Sequence, residues 1–475
     1  MAKHTEKALR ASLGAALVCG LLVFAGRSPA QEGVAGNPAD SGSPGASSDS
    51  GSFSLQGFKS LDILVLGGGG ADPVPGTPPP PPDQPVAGYD SKMGGFFVQT
   101  KDGKTRINFN ARIQPRYTLF LKDGQDGLSN GSDEDESYFE LERARIGLSG
   151  HFFSPEIKFK VEIDGETDAG DKGALTDAYV AYQACAAAQI GIGQFKPYFL
   201  REEATSSGRL QRVERSLSNE FFNIDRNIGV WVEGPVNDLL WYSTAITNGI
   251  DTVNQATGGG GTQLVDQNPA FIGKLDFYIM GSAKKDQREA YTQSDIKKSE
   301  TALLVLGGSF VYEEYEPSQV GATTFIANDA DVISYGLDGI WKYKGASISG
   351  DYVGRWYNGE TDGLDALYAH GYNLQGGYMV TDTIEVNFRL SGIFRGEGAN
   401  NGTATEVGPG VNWFFAKNHN GKVQMDVAWV DISGNLPSGT ENIRQTANTA
   451  FGSTAAGFSE GEQGVLTRIQ TTIGF

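Results

Sequence analysis

Between Arg106 and Leu119 the side chains alternate in kind. Ile107, Phe109, Ala111, Ile113, Tyr117 and Leu119 share one parity, and Arg106, Asn108, Asn110, Arg112, Gln114 and Arg116 share the other. Successive side chains of a strand point to opposite faces, so this stretch carries one apolar face and one polar, basic face. The same period of two returns in 156–164, 384–391, 423–430 and 466–475. Parity is ambiguous in 239–248, 267–280 and 300–312. Beyond the first thirty residues no apolar run reaches the ~20 residues that a spanning helix needs. A membrane reading of this chain therefore requires a closed barrel, because only helices and barrels satisfy every backbone polar group in lipid.

Alternation alone also fits a soluble sandwich, whose apolar face points into a core. Two features favour the membrane. First, the gaps between strands alternate long and short: 122–137 then 151–155, 166–174 then 184–188, 200–225 then 235–238, and later 313–330 then 344–345, 358–367 then 381–383, 397–403 then 417–421. That is the rhythm of long external loops and short periplasmic turns. The stretch 281–299 breaks it, being long where a short turn is due. Second, the last strand alternates Thr467, Ile469, Thr471, Ile473 and Phe475 and closes on an aromatic. Phe475 is the expected assembly signal for the barrel-assembly machinery. Aromatics also recur near strand ends (Trp341, Tyr343, Trp356, Tyr357, Trp413, Phe415), as girdles at the lipid headgroups require. The count is about sixteen strands between Lys104 and Phe475, an even number that leaves both termini on the periplasmic side.

The segments before the barrel read differently. Lys3, Lys7 and Arg10 precede an apolar run from Ala11 to Ala25, and Ser28-Pro29-Ala30 offers small residues for cleavage before Gln31, so residues 1–30 are expected to be a signal peptide. Residues 31–93 are dominated by Ser, Gly, Asp and Pro, with an unbroken proline run at Pro78 to Pro82, and are expected to form a disordered linker. Phe53 to Leu66 is a candidate short helix or plug within it. The barrel is expected over 94–475. Net charge is −19, and loss of the leader takes away four basic residues and one acidic residue, leaving −22. Such acidity argues against nucleic acid as a partner. With only Cys185 left after processing, no intramolecular disulfide can form.

A pore acts through its diameter, its charges and its hydrogen-bonding groups. Parity nominates Arg106, Arg112, Arg116, Arg143, Arg145, Lys158, Lys160, Lys274, Arg355, Arg389 and Arg468 as basic groups of the lumen. The alternation slips between Leu141 and Ala144, where a bulge is expected. The same parity places Glu162, Asp164, Asp177, Asp276, Asp338, Asp351, Glu385, Glu406 and Asp426 inside. Eleven bases against nine acids suit either an anion path or a wall of paired charges. A tighter cluster, Arg201, Arg209, Arg212 and Arg215 with Glu202, Glu203 and Glu214, is expected either to select by charge or to pin its loop by ion pairs. Arg209 and Arg212 would share a face if their stretch were helical. The acidic run Asp133 to Glu136 lacks calcium-loop spacing, and no metal or nucleophile motif accompanies His151, His370 and His419, so neither an enzyme nor a cofactor is expected.

Several ordered runs are similar to one family. Phe139 to Gly150, Leu175 to Tyr182, Gly193 to Pro197, Val213 to Leu217 and Arg226 to Val230 resemble the phosphate-selective porin O and P family, with the resemblance covering about 94–475. It implies a sixteen-stranded outer-membrane barrel, a trimer, and a third external loop, about 200–225 here, folded inward as the constriction. It also implies a constriction lined by arginine and lysine that prefers anions such as phosphate, from which the acidity of this chain departs. Arg143 and Arg145 match the family motif directly. A weakly selective general porin and a structural anchor tethered by 31–90 are the alternatives.

Overall fold

The computed structural model describes residues 85–90, 95–124, 135–165, 174–250, 269–315, 330–359, 367–396, 402–434 and 462–475. The expected signal peptide, nearly all of the linker, the candidate plug 53–66 and the first half of the acidic run at 133–136 lie outside them. Among the described residues eighteen strands make one sheet. In order they are β1 Val86–Asp90, β2 Gly95–Gln99, β3 Arg106–Gly124, β4 Glu136–His151, β5 Ile157–Asp164, β6 Ala174–Cys185, β7 Ala188–Phe195, β8 Asn227–Pro235 and β9 Leu240–Thr247. They continue as β10 Ala270–Met280, β11 Leu303–Tyr315, β12 Ala330–Tyr343, β13 Ala346–Gly359, β14 Leu367–Met379, β15 Ile384–Gly396, β16 Gly402–Trp413, β17 Gly421–Gly434 and β18 Glu462–Gly474.

From β3 onward each strand pairs antiparallel with the next, and β18 pairs back onto β3, which closes a ring of sixteen. Closure removes every open edge from the hydrocarbon region. The remaining two strands form a hairpin at the seam. One edge of β3 is taken along its length by β4, so β18 and β2 share the other edge end to end: Gly474 lies opposite Arg112, and Phe96 opposite Phe109. Strand β1 falls inside the segment read as linker, so ordered chain begins before residue 94.

Parity decides which residues meet lipid. Leu337 is 61 % exposed, whereas its neighbour Asp338 is 8 % exposed. The slip expected near Arg143 is a bulge: Gln114 pairs with Arg143 and Pro115 with Leu141, leaving Glu142 as the extra residue. Among the short turns, Lys344 (φ 47°) and Gly345 (φ 87°) both take positive φ, the two-residue geometry that matches the twist of β12 and β13.

The interior is filled from both ends. The loop between β7 and β8 enters as α1 (Arg201–Ala204), a 3-10 turn at Ser207–Arg209, and α2 (Leu217–Phe222). Ser216 caps α2 by accepting the Asn219 N–H at 3.1 Å. Its buried Leu217, Phe221 and Phe222 pack with Val311, Val332, Val353 and Ile393 of the wall. From the periplasmic end the long connection 281–302, carrying α3 (Gln287–Ala290), rises to meet the first loop. The Gln293 N–H donates to the Arg209 carbonyl at 3.2 Å, and Tyr291 and Ala290 pack with Tyr198, Ala204, Trp241 and Ile340.

Candidate constriction and lumen wall

The inward loop is pinned at its base. Lys196, directly after β7, pairs with Glu203 and lies 3.5 Å from Asp225. Arg226, directly before β8, donates to Asp225 at 3.3 Å and to Asp177 of β6 at 2.9 Å. Neither was nominated as a site residue, although both lie in the runs Gly193 to Pro197 and Arg226 to Val230 that carry the family resemblance. On the same wall Lys160 pairs with Asp177, and Arg145 with Asp164.

A carboxylate hub holds the middle of the loop. Glu214 accepts from Arg116 at 2.7 Å and Arg143 at 3.0 Å, while Arg116 also reaches Glu142 at 2.9 Å. Burial alone would push the Glu214 carboxyl up, but Arg143, Arg116 and Arg215 outweigh it and hold it well below the usual range. Arg215 pairs with Glu203 at 2.9 Å and donates to the Thr205 carbonyl at 3.1 Å. Glu220 lies beside these acids. Burial first, then the charges of Glu203 and Glu214, push it up to about 8. Above its ordinary 4.5 the unfolded chain releases this proton while the folded chain keeps it, so the cost to stability builds through pH 4.5–8 and is complete above that. Glu220→Gln is therefore expected to stabilise the folded protein at pH 9 and leave it unchanged at pH 4. Superimposable melting curves of parent and variant at both pH values would contradict this.

The far side of the loop meets β13–β18. Arg389 donates to Glu406 at 3.1 Å, Glu202 at 3.3 Å and the Glu214 carbonyl at 2.6 Å. Arg468 grips both oxygens of Asp426, at 3.0 and 3.1 Å. Arg355 donates to Ser334 and to the Phe222 carbonyl, each at 2.8 Å. Arg201 donates to Asp338 at 2.7 Å and Asp276 at 2.6 Å, and Lys274 pairs with Asp338. Arg106 stands apart, at the seam hairpin, paired with Asp90 at 2.7 Å and lying over the Phe97 ring at 4.0 Å. Lys158 donates to two amides, Gln183 at 2.8 Å and Gln189 at 2.7 Å.

Three arginines differ from these. Arg112 donates to Ser206 at 3.2 Å and Ser207 at 3.1 Å, and no carboxylate among the described residues lies in ion-pair range. Its cross-strand neighbour is Arg145. Arg209 is half-buried and likewise has no carboxylate in ion-pair range among the described residues; burial and nearby Arg288 push it down to about 10. Arg212 is fully enclosed, bonded through one nitrogen to Asn387 at 3.2 Å and the Gly408 carbonyl at 3.1 Å. The chain from Leu210 to Ser216 is not helical, so Arg209 and Arg212 do not share a helix face.

A family model of the phosphate-selective porin O and P matches residues 121–441, more than half of the chain. The chain belongs to this family. No curated protein matches it in sequence. Among solved structures the porin resembles the outer membrane channel DcaP of Acinetobacter baumannii, with TM-score 0.53 at 12% identity over 79% of this chain and 99% of that one. It also resembles the anion-selective porin from Comamonas acidovorans, with TM-score 0.51 at 11% identity over 77% of this chain and 99% of that one. At these identities the likeness speaks for the fold. Family and fold together make the porin an outer-membrane channel. Its inward loop lies inside the barrel, where Arg112, Arg116, Arg143, Arg355 and Arg389 of the wall bond to it.

Proposed function

We propose that the porin passes small hydrophilic solutes by passive diffusion and favours anions such as phosphate, as a homotrimer in outer-membrane lipid. One observation carries the preference. Most lumen arginines are neutralised by a carboxylate, whereas Arg112 and Arg209 are half-exposed to the lumen and hydroxyls, not acids, face Arg112. Exposed Ser206 is a donor that a passing oxyanion can share with the guanidinium. Charge at a narrow, partly dehydrated place is screened less than at the surface, so two positions can set ion preference. That the Comamonas porin of similar fold is anion-selective agrees with this reading. The paired remainder of the wall supports weak selectivity as the second reading.

The test is the reversal potential of the reconstituted porin in a salt gradient, with and without phosphate. Arg112→Ala with Arg209→Ala is expected to shift it towards cations and to relieve block of chloride current by phosphate. A double variant with the parent's reversal potential and phosphate block sinks the anion reading and leaves the general porin.

A further inference from the structure

His419 lies in the short turn between β16 and β17, half-buried, with its ring edge-on to the enclosed Phe414 at 5.5 Å. Its Nε2 is 2.9 Å from the Gln293 carbonyl. A carbonyl only accepts, so Nε2 carries the hydrogen and the neutral ring keeps Nδ1 as an acceptor. Nδ1 faces the Lys422 ammonium at 3.5 Å. A protonated ring would turn an N–H against that ammonium, so the contact suits the neutral ring alone. Three segments meet here. Gln293 belongs to the connection 281–302 and bonds twice to the inward loop: its N–H donates to the Arg209 carbonyl at 3.2 Å, and its side-chain oxygen accepts the Gln211 N–H at 2.7 Å. Lys422 donates to the Leu210 carbonyl of the same loop at 2.8 Å. His419 thus fastens the turn to the place where loop and connection touch. Beyond Gln293 the connection bends at two non-glycine residues of positive φ, Ser294 (62°) and Lys298 (50°), conformations that persist only while the surroundings impose them.

The charges acting on the ring have one sign: Lys422 of β17, Lys342 of β12 and Arg209 of the inward loop. The neighbouring acids are engaged elsewhere. Glu289 pairs with Lys342 at 3.3 Å, Glu385 accepts from Gln211 and Asn412, each at 2.7 Å, and from Ser294 at 2.9 Å, and Asp295 accepts from the Ser299 and Gly345 N–H groups at 2.9 and 2.8 Å. No carboxylate among the described residues lies in ion-pair range of His419. Burial first, then the three cations, hold the ring well below its ordinary 6.5. The docked ring therefore refuses a proton that it would bind in water. Docking is fully favoured above pH 6.5 and weakens as the pH falls below it.

We propose that His419 is an acid-sensitive latch at the periplasmic mouth of the porin: its protonation releases the connection 281–302 from the turn and from the inward loop, and widens the passage.

The test follows single-channel currents of the reconstituted porin from pH 8 down to pH 5 at constant salt. The parent is expected to pass to larger, noisier currents below pH 6.5 and to return to its quiet state when the pH is raised again. His419→Gln keeps an N–H for the Gln293 carbonyl and an oxygen towards Lys422 but takes up no proton, so it is expected to stay quiet down to pH 5. His419→Ala loses the contact at every pH and is expected to be noisy already at pH 8. Lys422→Gln keeps a donor for the Leu210 carbonyl and removes the ammonium opposite Nδ1, so its transition is expected at lower pH than the parent's. Parent currents that are the same at pH 8 and pH 5 overturn the latch. So does a His419→Gln variant with the parent's acid response, which would place the titrating group among Glu289, Glu385 and Asp295 instead.

Discussion

Removing Phe475 is expected to lower the amount of porin in the outer membrane several-fold while leaving secretion of the chain intact. The seam of the barrel explains why. Phe475 N–H donates to the Ala111 carbonyl at 3.0 Å and its carbonyl accepts the Ala111 N–H at 3.1 Å, the last two rungs between β18 and β3. Its ring meets Phe96 edge-on at 5.6 Å, and Phe96 in turn meets Tyr89 at 5.2 Å. Phe475 thus stands where β18 ends and the β1–β2 hairpin takes over the same edge of β3. A barrel cannot leave this edge open in lipid, because each unpaired backbone group there costs several kcal/mol. Two causes of a loss can be separated. Phe96→Ala removes the ring contact and keeps the terminal aromatic, so it should lower the level far less than deletion does if Phe475 acts as an assembly signal. Equal losses in the two variants would make Phe475 a packing residue alone. Unchanged outer-membrane levels on deletion, measured in fractionated membranes, would falsify both roles.

The period of two carried most of the wall into view. It placed Asp276, Asp338, Asp351, Glu406 and Asp426 inside, where all five are buried, and it located a slip between Leu141 and Ala144, where Glu142 is the extra residue. Those results need only local pattern, since one face of every strand must suit lipid. What local pattern leaves open is partnership. Arg201 and Asp338 are 137 positions apart, and Arg389 and Glu202 are 187 apart. Nothing in the neighbourhood of either residue names its partner. The choice between selecting and pinning for Arg201, Arg209, Arg212 and Arg215 is not set by local pattern, and it divides residue by residue: Arg201 and Arg215 are paired, Arg212 is enclosed, and Arg209 is half-buried with no carboxylate in ion-pair range among the described residues. The excess length of 281–299 was visible as a broken rhythm. Its meaning was not, because the apolar residues that dock it, Ala290 and Tyr291, show no strand period. Strand β1 was hidden by its five-residue length at the end of a proline-rich stretch.

Arg201→Ala is expected to loosen the interior more than any other single change in the loop. Its guanidinium joins the inward loop to two other parts of the fold: the wall through Asp276 and Asp338, and the periplasmic connection through the Ala290 carbonyl at 3.1 Å and the Tyr291 ring 4.8 Å away. Tyr291 in turn donates to the second oxygen of Asp276 at 2.7 Å. Truncation would leave Asp276 and Asp338 buried together with Lys274 as their one cation, a net negative charge in an enclosed place. Removing one partner of such a group costs about 3–5 kcal/mol. The strands do not depend on this cluster for their ladders, so the cost should appear as undocking of the inward loop and of 281–302, with the barrel still closed. Single-channel recordings are then expected to show larger and noisier conductance, with unchanged β content. Adding Asp276→Asn removes the surplus charge while keeping an oxygen for Tyr291, and should recover part of the quiet conductance, which a purely steric role for Arg201 does not predict. Recordings of Arg201→Ala that match the parent would mean that the loop is held by its base at Lys196 and Arg226 and by Glu214, and that the Arg201 cluster is dispensable.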